Sequence, residues 1–99
     1  MRVLFACVLG ASTSMIAKRV ETAAQGRGLD MEIMVRAAHE LSTVDLGSYD
    51  AVVLGPQVSY LRGPLQQQIG QAKSVLVIPP QKYGLGDGQQ ILDLILQGS

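Results

Sequence analysis

Ninety-nine residues suffice for one hydrophobic core and not for two, so the chain reads as a single domain over residues 1–99. Apolar residues make up 47% and charged residues 16%, the balance of a globular chain and not of a disordered one. Eight basic and eight acidic side chains cancel without a run of either sign. That argues against a nucleic-acid partner, because phosphate neutralisation calls for a basic face.

The amino-terminal run Met1-Arg2-Val3-Leu4-Phe5-Ala6-Cys7 has the charge-then-apolar order of a signal peptide, but it stops at Gly10 with no A-x-A-like site. It is predicted instead as a buried first strand, Arg2 to Ala6. A loop from Cys7 to about Ala11 and a helix to about Arg27 follow, with Ile16, Val20, Ala23 and Ala24 at helical spacing. Gly26 and Gly28 offer the left-handed residue that commonly closes a helix. Met31, Ile33 and Val35 alternate with Glu32 and Met34, which predicts a second strand near a sheet edge.

From Ala37 to Asp50 short polar residues interrupt every pattern, and a helical turn is expected at Ala38 to Leu41 or at Thr43 to Leu46. Ala51 to Leu54 is a continuous apolar run, as in a parallel strand covered on both faces, and Gly55-Pro56-Gln57 ends it. A helix is predicted from about Val58 to Ala72, kinked or restarted at Gly63-Pro64. Ser74 to Ile78 is the fourth strand, stopped by Pro79-Pro80. A glycine-rich loop, Tyr83 to Gly88, leads to a last helix to about Leu96, with Ile91, Leu92, Leu94 and Ile95 facing the core. Strands alternating with helices predict an α/β fold, a four-stranded parallel sheet flanked by helices.

None of the apolar runs approaches the roughly 20 residues of a membrane span, and the expected location is the cytosol. One cysteine excludes an internal disulfide, and with a single histidine it argues against a zinc site. No metal or other cofactor is expected.

In an open parallel sheet, ligands bind outside the carboxyl ends of the strands. The loop after the first strand, Cys7-Val8-Leu9-Gly10-Ala11-Ser12-Thr13-Ser14, places a thiol where the unpaired N–H groups of a helix start point back toward it. Such a position stabilises anions, a thiolate among them. Gly10 lets the backbone curl around an oxyanion, and Ser12, Thr13 and Ser14 add hydroxyls. The same residues also fit a plainer reading, with Cys7 a small buried hydrophobe and Ser12 a helix cap.

Cys-Val-Leu-Gly-Ala-Ser-Thr-Ser-Met, residues 7–15, resembles the Cys-x-x-Gly-x-Ser-Thr-Ser-hydrophobic loop of the lactose/cellobiose-type enzyme IIB family of bacterial sugar phosphotransferase systems. Leu54-Gly55-Pro56-Gln57-Val58-Ser59-Tyr60 and Tyr83-Gly84 with Asp87-Gly88 resemble two further motifs of that family, in the same order. The resemblance spans essentially the whole chain and implies a fold like that of the low-molecular-weight tyrosine phosphatases. It implies that Cys7 accepts a phosphoryl group from a phosphohistidine on a IIA partner. The group then passes to a sugar, expected to be a disaccharide, held by a membrane-embedded IIC partner. Backbone N–H groups of Leu9, Gly10, Ala11, Ser12, Thr13 and Ser14 would hold the phosphoryl oxygens, with Val8, Gln57, Tyr83 and Asp87 on the rim. Val8-Leu9 departs from the smaller, more polar pair expected after the cysteine.

The competing reading is a cysteine phosphatase, whose loop runs Cys, five residues, Arg, then Ser or Thr. Counting from Cys7, Thr13 stands at the arginine position and Ser14 follows, so the guanidinium that would clamp the transferred phosphate is missing. A docking or sensing module that transfers nothing is the other alternative. His39, in a polar connecting segment, reads as an ordinary exposed residue and not as a second carrier. Asp87 between glycines reads as a turn residue.

Overall fold

In the computed structural model, which describes residues 1–8, 10–70 and 73–98 (residues 10–12 and 98 by their backbone), the four apolar runs form four strands. These are β1 (Arg2–Cys7), β2 (Glu32–Ala37), β3 (Ala51–Leu54) and β4 (Ser74–Val77). All pair in parallel, in the order β2-β1-β3-β4, which puts β2 at an edge as its alternation predicts. The helices are α1 (Gly10–Gly26), α2 (Arg62–Ile69), α3 (Pro80–Leu85) and α4 (Gly88–Gly98).

Because successive strand residues point to opposite faces, each strand serves two cores. Val3 and Phe5 of β1 join Ala51 and Val53 of β3 on one face, under Ile16, Ala17, Val20, Ala23 and Ala24 of α1 and Ile91, Leu92 and Ile95 of α4. Leu4, Ala6, Val52, Leu54 and Val75 face the other side, under Leu41, Leu46, Tyr49, Val58 and Leu65. Leu94, expected inward, is only half-buried, because it sits at the margin of the stripe that Ile91, Leu92 and Ile95 define. The chain leaves α1 through Gly28 at φ +72°, where the Leu29 N–H donates to the Ala24 carbonyl (2.9 Å) and ties off the helix end.

The second face is covered by irregular structure. Residues Ala38–Thr43 and Leu46–Ser48 form 3-10 turns, the first where one of the two expected turns falls and the second just beyond the other. Their short polar side chains bond their own backbone: Thr43 Oγ1 donates to the Glu40 carbonyl (2.7 Å) and Asp45 Oδ1 accepts from the Gly47 N–H (3.2 Å). Such bonds hide helical periodicity from the sequence.

Two expectations change. The single helix over Val58 to Ala72 is instead a 3-10 segment, Pro56–Leu61, followed by α2, and residues 71–72 lie outside the described residues. The break comes at Val58 (φ −119°, ψ 26°), and Gly63-Pro64 falls in the first turn of α2, where the missing Pro N–H costs nothing. The glycine-rich loop is in its first half the helix α3, started by Pro80 in its first turn and closed by Gly86 at φ +61°.

Candidate functional site

The strand order reverses direction between β1 and β3: from β1 the chain goes to β2 on one side and then to β3 on the other. The carboxyl ends of those two strands, Cys7 and Leu54, therefore flank the sheet's switch point, where a crevice forms. Cys7 is the last residue of β1 and not the first of a loop, and α1 starts at Gly10, slightly earlier than expected. Strand alternation aims the Cys7 side chain to the same face as Val3 and Phe5, the face that α1 covers. The thiol is 2% exposed.

β3 hands over to Gly55, whose N–H donates to the Ala6 carbonyl (3.0 Å), so the turn stays zipped to β1 beside Cys7. A methyl group in place of the Gly55 hydrogen would meet three side chains at once: Gln57 Oε1 at 2.9 Å, Tyr83 Cε2 at 3.5 Å and Cys7 Cβ at 3.7 Å. Gly55 is thus where Cys7, Gln57 and Tyr83 converge, three of the residues singled out in the sequence. Its φ of −66° is open to any residue, so what glycine supplies here is room and not a backbone angle.

Tyr83 comes from α3 and is held at both ends. Its ring packs on the α1 side of the core, and its Oη lies 3.0 Å from Thr13 Oγ1 in a hydrogen bond across 70 positions of sequence. Thr13, 1% exposed, is the most buried polar side chain among the described residues. Extending the apolar stripe Ile16, Ala17, Val20, Ala24 one turn back lands on Thr13, a signal in the sequence that puts this hydroxyl inside. The backbone of Gly10, Ala11, Ser12, Thr13 and Ser14 forms the first turn and a half of α1, and Ser14 is exposed. Leu9 lies outside the described residues.

On the rim, Val8 is 50% exposed and lines a shallow groove with Ala38, His39, Tyr60 and Leu61. His39 is exposed there, and Tyr60, at 71%, is a large surface residue that the sequence reading places in the Leu54–Tyr60 motif without a role of its own. Asp87 is exposed, and its Oδ1 accepts from the N–H groups of Gln89 (3.0 Å) and Gln90 (3.4 Å), capping α4. Arg19 reaches from α1 to the Gly86 carbonyl (3.1 Å), fastening this corner to the helix that starts at the site. Among the described residues no group of three or more His, Cys, Asp or Glu side chains is placed to hold a metal ion, and no helix is long and apolar enough to cross a membrane.

The profile of the family described as "PTS system, Lactose/Cellobiose specific IIB subunit" matches residues 2–94. The chain is 33% identical over 96 residues to the oligo-beta-mannoside-specific EIIB component of the PTS system from Bacillus subtilis, covering 96% of this chain and 92% of that one. It is 30% identical over 95 residues to the cellobiose-specific EIIB component from Lactococcus lactis, covering 91% and 88%. Among solved structures, the cellobiose-specific phosphotransferase IIB component from Borrelia burgdorferi superposes with a TM-score of 0.75 at 28% identity, over 99% of this chain and 90% of that one. The lactose-specific IIB component domain from Streptococcus pneumoniae superposes at 0.81 with 15% identity, over 99% and 96%, a likeness of fold.

Proposed function

Because this chain belongs to the lactose/cellobiose-specific IIB family of sugar phosphotransferase systems, we propose that Cys7 is its phosphoryl carrier, loaded by a phosphohistidine of a IIA partner and discharged to a sugar held by a membrane IIC partner. The observation that carries this reading is the position of Cys7. It ends β1 at the sheet's switch point, just ahead of the first turn of α1, with the Gly55 turn and Tyr83 beside it.

In the first step Cys7 Sγ, its proton lost to solvent, attacks phosphorus in line with the P–N bond of the phosphohistidine. The S–P bond forms as the P–N bond breaks, and the electron pair returns to the imidazole. In the second step a sugar hydroxyl attacks phosphorus, the S–P bond breaks, and the hydroxyl proton leaves. Both transfers put negative charge near the start of α1, where the N–H groups of Gly10 to Ser14 and the helix dipole favour it. The Ser14 hydroxyl adds a donor. Thr13 stands where a phosphatase would carry arginine. Without that guanidinium to stabilise hydrolysis, the thiophosphate lasts until the next acceptor arrives. With the thiol 2% exposed, loading takes a local rearrangement of the rim around Val8. The relatives named above carry different sugars in their names, and the acceptor proposed for this chain is a disaccharide on the cytoplasmic side of the membrane.

The test is intact-mass spectrometry after incubation with a phosphorylated IIA protein. One added phosphoryl group, located to Cys7 by fragmentation and discharged when IIC membranes and sugar are supplied, is the expected result. An adduct on His39, or none, overturns the assignment.

A further inference from the structure

The Tyr83 side chain bridges two elements of the site. Its ring edge lies 3.5 Å from the position a Gly55 Cβ would occupy, on the side of the turn that also faces Cys7 Cβ. Its Oη bonds Thr13 Oγ1 at 3.0 Å, inside the first turns of α1. The first of these contacts sets the turn after β3, and the second sets the start of α1, so one rigid phenol fixes the distance between them. Thr13 has no solvent to fall back on, being 1% exposed. A buried hydroxyl deprived of its partner costs free energy, which makes the Thr13–Tyr83 bond a directional constraint and not an incidental contact.

The location of α3, the element that presents Tyr83, adds to this. Gly86, which closes α3, is bonded by Arg19 of α1 at 3.1 Å. A side chain at Gly88, just beyond, would run into the backbone of Arg19. The corner carrying Tyr83 is therefore held against α1 at Arg19.

We infer that Tyr83 and Thr13 form a positioning pair, in which the phenol–threonine hydrogen bond holds the first turn of α1 in register with Cys7 and the Gly55 turn, so that its N–H groups meet the phosphoryl oxygens during transfer. The inference rests on the carrier role proposed for Cys7. It assigns the Thr13 hydroxyl to Tyr83 and leaves oxyanion binding to the backbone N–H groups. A misplaced cradle binds the donor protein as before but stabilises the transferring group less well, because catalysis depends on placement to within a fraction of an ångström.

The experiment measures phosphoryl uptake by Cys7 from a phosphorylated IIA protein, over a range of IIA concentrations, for Tyr83→Phe, Thr13→Val, the double variant and Thr13→Ser. The expected result is a maximal rate about five- to tenfold lower for each of the first two, the loss of one hydrogen bond of about 1 kcal/mol or slightly more. The IIA concentration at half-maximal rate stays unchanged. The double variant is no slower than either single one, and Thr13→Ser keeps most of the wild-type rate. Full rates in Tyr83→Phe, losses that multiply in the double variant, or a change confined to the half-saturating concentration each overturn the inference. Tyr83→Phe retains the ring and its packing, so it decides the matter even if Thr13→Val unfolds. Cys7→Ser, run alongside, separates the two claims. Phosphoryl uptake by that variant defeats the carrier role, whereas its inactivity beside a fully active Tyr83→Phe defeats only the positioning pair.

Discussion

At the amino ends of the strands the chain is latched by charge. The Arg2 N–H donates to Asp50 Oδ2 (2.7 Å), its guanidinium donates to the Ser48 carbonyl (3.1 Å), pairs with Glu32 (3.5 Å) and lies over the Tyr49 ring (4.8 Å). The Met1 ammonium donates to the Asp30 carbonyl (3.0 Å), and Lys73 reaches the Gly47 carbonyl. At the carboxyl ends β1 and β3 stop at Cys7 and Leu54, and the side chains nearest the Gly55 turn are a thiol, an amide and a phenol. In a parallel sheet every strand contributes the same end to the same edge. Polar groups that close one edge can therefore be spent without touching the other, where Cys7, the proposed phosphoryl carrier, and the start of α1 lie. With Cys7 as the proposed carrier, stability and chemistry are divided along the strand axis.

Substitutions at the two ends should accordingly separate into two kinds. The largest effect belongs to Cys7→Ser, which removes the proposed nucleophile. No phosphoryl adduct should be detected by intact mass, while the free energy of unfolding by urea falls by at most about 1–2 kcal/mol for a hydroxyl in a covered site. An adduct at near wild-type yield would sink the assignment of Cys7. Next comes Val8→Asp on the rim, with a carboxylate in place of a half-exposed apolar side chain. Uptake from a phosphorylated IIA protein should weaken about three- to tenfold through a higher half-saturating concentration, with the thermal midpoint unchanged. A lower midpoint instead would place Val8 in the core. The smallest effect is expected at the opposite end. Asp50→Ala strips the Arg2 N–H of its partner and should cost about 1 kcal/mol in urea unfolding, with the uptake rate unaltered. If uptake slowed as much as stability fell, the two ends would be coupled and the division along the strands would fail.

The division also separates what the sequence discloses from what it conceals. β1, β3 and α1 are legible because a continuous apolar run and a stripe at Ile16, Val20, Ala23 and Ala24 each have one physical reading. The position of Cys7 follows directly, since the end of a buried strand and the start of the next helix are both visible. The face covered by Ala38–Thr43 and Leu46–Ser48 is not legible, because Thr43, Asp45 and Ser48 satisfy backbone groups locally and leave Leu41, Leu46 and Tyr49 to anchor the core at irregular intervals. α3 is masked by Gly84 and Gly86, which read as loop although Pro80 starts a helix. The Thr13–Tyr83 bond could not be read at all: it joins two residues whose sequence surroundings carry no trace of each other, and only the packing of α3 on α1 brings them together.

The burial of Cys7 bears on a hazard separate from phosphoryl transfer, oxidation. Peroxide and disulfide exchange act on thiolates they can touch, and a cysteine 2% exposed meets them only when its cover opens. The chain has one cysteine, so a disulfide would have to form with another molecule, and the rim denies that approach too. Iodoacetamide should therefore alkylate Cys7 more slowly in the folded chain than after unfolding in urea, and equal rates would show that the cover is no barrier. On the carrier role proposed for Cys7, the same cover would shield the sulfur between turnovers and would be what a partner has to open.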